Sequence, residues 1–159
     1  MPRTTALVAA ALFVAGCGGS QTTQELFVSM RGQPLAFTTV FASAELDASG
    51  LAVDTPERRI DAWLYPSEMV RFDNGFFVDE QALSSPLTGA RLSVSPLSFG
   101  PTTTRADVEA LLGPPTGVEM GDVGGAPLEV LRYRDPDIVA VSFVDAEITS
   151  VVAGIEVTP

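Results

Sequence analysis

Apolar positions in the C-terminal third recur first at a helical period and then at a period of two. Val108, Leu111 and Leu112 stand at i, i+3 and i+4 behind Thr104 and Asp107, which predicts a short helix capped by Thr104 with one apolar face. Gly113 and Pro114 end it, because glycine takes the left-handed position after a helix and proline prevents another turn. Two turns do not persist alone in water, so this helix must pack on a neighbour. Leu128 to Tyr133, Ile138 to Val144 and Ile148 to Val152 supply one. These runs, rich in β-branched and aromatic residues, predict three strands of an antiparallel meander. Val139, Val141 and Phe143 alternate with Ile138, Ala140, Ser142 and Val144 and form its predicted core face. Asp135-Pro136-Asp137 and Asp145-Ala146 make the turns.

The N-terminal half reads as β-rich. Leu26 to Met30 and Leu35 to Phe41 are predicted strands around Arg31-Gly32-Gln33-Pro34, and Arg59 to Tyr65 alternates well. Val70-Arg71-Phe72 and Phe76-Phe77-Val78 flank Asp73-Asn74-Gly75, a strong hairpin signal because Asn-Gly suits the type I′ turn. Trp63-Leu64-Tyr65 before Val70-Arg71-Phe72 mirrors Leu131-Arg132-Tyr133 before Val141-Ser142-Phe143. An internal duplication would explain the echo; so would one continuous antiparallel sheet with a helix on one face. No capped helix is read ahead of Trp63, and Ser84 to Gly89 is the expected joint between halves. The predicted class is α+β: a short capped helix packed on an antiparallel β-meander, preceded by a β-rich N-terminal half.

Ahead of these elements lies an address. Arg3 is followed by an unbroken apolar run from Ala6 to Ala15, about half of the roughly 20 residues needed to span a bilayer. It fits the apolar core of a secretory signal. Val14-Ala15-Gly16-Cys17 then resembles the lipobox of bacterial lipoproteins, in which small residues precede a cysteine that is lipidated and becomes the new N-terminus. The chain's single cysteine stands at that position. The expected organisation is a signal peptide over 1–16, a flexible tether over 17–24, a β-rich half over 25–98 and a helix-plus-three-strand module over 99–159. Lipoproteins of two-membrane bacteria with Gly after the cysteine, as Gly18 is here, are sorted to the outer membrane. The resemblance therefore implies a lipid-anchored envelope protein facing the periplasm in such a host.

Composition removes chemistry more than it adds any. The 159 residues hold nine Arg, no Lys and no His against 20 acids, for a formal net charge of −11. Without His there is no Ser-His or Cys-His dyad and no imidazole metal site. Without Lys there is no Schiff base and no phosphate-binding P-loop. The charge repels nucleic-acid phosphates and anionic headgroups. No cofactor, metal or enzymatic activity is expected.

Gly100, Thr104, Val108, Leu111-Leu112-Gly113-Pro114-Pro115, Tyr133, Val141-Ser142-Phe143 and Asp145 together resemble the SmpA/OmlA family of small outer-membrane lipoproteins. That family includes the accessory lipoprotein of the β-barrel assembly machinery. The likeness spans Gly100 to Val152, with Leu131 where the family has an aromatic and Ala146 where it has a turn glycine. It implies a protein-binding module in outer-membrane protein assembly or envelope integrity. Similar helix-plus-sheet modules occur in secreted β-lactamase inhibitors, so an inhibitor of a hydrolase is the alternative. A carboxylate-dependent hydrolase is a third reading, needing two acids in one cleft.

Individual candidates follow from residue type. Trp63, Tyr65, Phe76 and Phe77 are the aromatic candidates for a partner surface, against the alternative that they pack in the core. Glu45 to Gly50 spaces its oxygens like a calcium loop, but Pro56 falls where the closing Glu belongs. Asp135 and Asp137 could touch a cation or solvate a turn.

Overall fold

The computed structural model describes residues 21–42 and 58–154. Two helices, α1 (Thr23–Arg31) and α2 (Arg105–Leu112), each precede four strands. The first set is β1 (Ala36–Ala42), β2 (Arg58–Leu64), β3 (Glu68–Asp73) and β4 (Phe76–Ala82). The second is β5 (Gly117–Val123), β6 (Ala126–Tyr133), β7 (Val139–Val144) and β8 (Glu147–Ala153). All eight strands form one sheet in the order β4-β3-β2-β1-β8-β7-β6-β5. Each half is thus a helix and an antiparallel meander, and the halves join where β1 pairs with β8.

The helices start and stop by the same devices. Thr22 and Thr104 each accept from the backbone N–H three residues on, while Glu25 and Asp107 reach back to the cap residue's own N–H. Gly32 (φ 77) and Gly113 (φ 80) end them in the left-handed region that glycine enters without strain. The hairpin turns at Asn74-Gly75 and Asp145-Ala146 both have two positive φ values, the type I′ form that matches strand twist.

Three expectations are corrected. Leu26 to Met30 is helix, not strand, because the Thr22–Glu25 box nucleates a turn and the helix packs on the sheet through Gln24, Phe27 and Val28. The expected tether over 17–24 consequently loses its last residues to the cap and first turn of α1. The C-terminal meander has four strands; β5 pairs with β6 along its whole length, from Gly117↔Arg132 to Val123↔Ala126. Cys17, the signal segment and the Glu45 to Gly50 loop lie outside the described residues. No described helix is long and apolar enough to cross a membrane.

The core lies on one face of the sheet. Phe37, Trp63, Phe72, Leu131, Val141 and Phe143 point into it from the strands, and Val108 meets them from α2. The connection between halves also contributes, burying Leu92, Val94 and Phe99 around a single 3-10 turn at Pro96–Ser98.

Candidate functional site

Strand register decides what stands on the opposite face. Phe37 pairs with Trp63, and Trp63 with Val70, all in the core. Alternate residues therefore point away from the helices. One row on that side runs through Asp73, Ile60, Val40, Ser150, Ser142, Val130 and Glu119, each paired with the next across the sheet. A second row runs through Asp79, Arg71, Ala62, Thr38, Val152, Ala140 and Arg132. Both rows are small or aliphatic in the middle and charged toward the margins, and Phe76, the partner of Asp73, continues the first row onto β4. Val40 and Ile60 are 41% and 40% exposed. Among the described residues no helix covers this face.

The charges at its two margins are held in pairs. Arg58 Nη2 donates to Asp73 Oδ2 at 2.7 Å, and Arg71 Nε to Asp79 Oδ1 at 2.7 Å. At the other margin Arg132 forks onto Glu119 at 2.5 and 2.8 Å. These hydrogen bonds hold the carboxyls of Asp73, Asp79 and Glu119 below their ordinary values. Each pair is solvent-exposed and screened by water, so it contributes little to stability. The margins thus offer neutralised, planar hydrogen-bonding groups rather than a field of one sign.

Size matters for what such a face can do. Eight strands at about 4.8 Å spacing and six- to seven-residue rows give roughly 34 by 20 Å, on the order of 700 Å². That approaches the roughly 800 Å² each partner contributes to a standard protein interface. Small-molecule sites need concavity instead. Two open depressions among the described residues hold about 240 Å³ beside Phe41, Thr102 and Glu147, and about 270 Å³ beside Leu35, Leu87 and Asp137. Each is lined by a single carboxylate.

The sequence candidates divide. Trp63 and Tyr65 are 0% and 5% exposed and belong to the core; the partner-surface reading of these two is corrected, since Trp63 on β2 and Tyr65 just past its end both pack on the side of the helices. Phe76 and Phe77 are 68% and 44% exposed on β4. Thr104, Gly113 and Pro114 cap and end α2 as expected, and Tyr133 and Phe143 lie in the core. Asp137 is a structural tie. Its Oδ2 accepts from Ser93 N at 2.8 Å, Ser93 Oγ at 2.5 Å and Val94 N at 3.1 Å, fastening the connection between halves to the β6–β7 turn. Among the described residues no three His, Cys, Asp or Glu side chains are grouped to hold a metal.

Two features escaped the sequence reading. The face itself did, because it exists only once eight strands share one sheet. The other is a buried polar cluster: Asp61, fully buried, accepts from Gln24, from Thr39 and from Arg59, whose Nε lies 2.7 Å from Oδ2. Arg59 also donates to the carbonyls of Pro96, at 2.7 Å, and Phe99. This cluster ties α1, β1, β2 and the connection between halves together. Its signal, a charged residue amid the alternation of β2, was visible but had no partner assigned. The chain matches no protein-family model, no curated protein and no solved structure.

Proposed function

We propose that the chain is a lipid-anchored envelope protein that binds another protein through the uncovered face of its sheet. The observation that carries this reading is that face: continuous over two halves, apolar or small in the middle, ion-paired at the margins, and of interface size. The anchor is the lipidated Cys17 of the lipobox-like Val14-Ala15-Gly16-Cys17. Several acyl chains hold a protein on a bilayer without help from charge, which suits a chain of net charge −11. The resemblance of Gly100 to Val152 to outer-membrane lipoproteins directs the role toward outer-membrane protein assembly or envelope integrity.

The test is crosslinking in native membranes. Amine-reactive reagents are poor here because the chain has no lysine, so a photoreactive phenylalanine derivative replaces Val40, with Ala110 on α2 as the control position. Adducts from the Val40 site, absent from the Ala110 site, are expected to contain an envelope protein. A soluble hydrolase in those adducts would convert the reading to that of an inhibitor. Equal labelling from both sites would overturn the docking face. The mass of the peptide beginning at Cys17, from the same digest, reads the anchor separately.

A further inference from the structure

We infer that the flank formed by α1 and β4 rests on the bilayer that holds the acylated Cys17, an inference that depends on the anchoring reading above. Two flanks of the molecule expose apolar side chains. On one, α1 turns Leu26 (43% exposed) and Met30 (83%) outward, and β4 presents Phe76, Phe77 and Val78. On the other, α2 exposes Leu111 and β5 exposes Val118, Met120 and Val123. These lie at opposite ends of the sheet, about 34 Å apart.

Chain connectivity chooses between them. From Cys17 to Thr22, the cap of α1, there are five residue steps, which span at most about 18 Å when fully extended. Thr22 in turn is fixed against the β3–β4 turn. Gln24 N donates to Gly75 O at 3.2 Å, and a Cβ on Gly75 would lie 3.1 Å from the Thr22 side chain. The acyl chains therefore enter the membrane within about 18 Å of Thr22, at the end of the sheet that carries Phe76, the residue after Gly75. The β5 flank is beyond the tether's reach from the same point.

The chemistry of the flank agrees. Phe27 of α1 stacks on Phe77 at 5.8 Å and meets Phe72 edge-on at 5.2 Å, so the exposed rings stand on a rigid base. Charges nearby are paired: Arg31 bridges Glu68 and Glu80, and Arg71 binds Asp79. Two aromatic rings and three aliphatic side chains beside neutralised charge suit the interfacial zone of a bilayer. With the β4 edge and Phe76 on the membrane, the part of the uncovered sheet face from β2 to β6 stands clear of the lipid for a partner.

The experiment places an added indole at each flank of the full-length, lipidated chain, as F76W and M120W, in phosphatidylcholine vesicles with plain or brominated acyl chains. Trp63 is buried and gives the same background in both variants. Flotation with the vesicles reads anchoring on its own. The expected result is flotation of both variants and about a twofold loss of the F76W emission in brominated vesicles, with M120W unchanged. Flotation with F76W unquenched, or with M120W quenched instead, overturns the orientation while leaving the anchor intact. A chain that does not float overturns the anchor and the orientation together. A blue-shifted F76W emission without quenching by bromine also overturns it, giving the flank to a protein.

Discussion

Asp61 and Glu129 hold equivalent places in the two halves: each stands two residues before a buried core residue, Trp63 or Leu131, and opposite Phe72 or Phe143. Asp61 is sealed beneath α1 with Gln24, Thr39 and Arg59. Glu129 sits at the surface on Arg105 of α2. The same frame thus buries a hydrogen-bonded polar cluster beside Trp63 and Phe72 in one half and packs Val108, Leu131 and Val141 in the other. The comparison teaches that caps, turns and strand order fix this architecture, while the filling beneath each helix varies.

The largest break in that comparison comes from removing each acid. D61A strips the partly buried Arg59 and the buried Gln24 and Thr39 of their carboxylate and is expected to cost about 3–5 kcal/mol in urea denaturation. E129A removes an exposed pair and costs under about 1 kcal/mol. Similar costs for both would mean that the two sites are not differently filled.

Turns sharpen it next. Asn74-Gly75 and Asp145-Ala146 join equivalent strand pairs, and Ala146 has φ 66 where Gly75 has φ 81. A left-handed alanine is strained by about 1–2 kcal/mol, partly offset by its lower unfolded entropy. A146G should therefore raise stability by up to about 1 kcal/mol. G75A should lower it by about 1–2 kcal/mol, with the approach to Thr22 adding to the loss. Thermal unfolding of the two single variants checks both signs.

Caps come third. T22A and T104A each lose one side-chain acceptor and should each cost about 1 kcal/mol, by the same denaturation assay. A negligible loss for T22A would mean that α1 is held by its packing and by the Gln24 contacts rather than by its cap.

The smallest effect is that of pH. Arg58, Arg71 and Arg132 hold Asp73, Asp79 and Glu119 below their ordinary values. A lowered folded value adds stability above the unfolded value near 4, and that stability is lost as pH falls through the folded one. A shallow decline should therefore begin below about pH 4, small because the pairs are exposed. With no histidine in the chain, melting temperature should stay level between about pH 6 and 8.

Legibility followed the same divide. α2 could be read because Val108 and Leu112 face the core and Thr104 and Gly113 punctuate it. α1 could not, because two of its apolar residues, Leu26 and Met30, face outward, while Gln24 is buried. Leu26, Val28 and Met30 also alternate as a strand would. Its Thr22–Glu25 box was the available signal. β5 hid behind Gly117, Glu119, Gly121 and Asp122, residues poor in strand propensity that an edge tolerates. β2 and the Asn74-Gly75 hairpin were plain. The mirrored Trp63 and Leu131 segments do fall in equivalent strands, and the helix expected to be missing before the first is α1.

A binding face shared by both halves is the central claim. Ile60 and Ser142 lie in one row of that face on opposite sides of the β1–β8 junction, with Val40 between them. The decisive measurement is photocrosslinking from the Val40 position in chains that also carry I60R or S142R, with melting temperature checked alongside. Loss of at least about tenfold in adduct from both variants, at unchanged stability, is the predicted result. Undiminished adduct from either variant would contradict it, confining the contact to one half or removing it from the sheet.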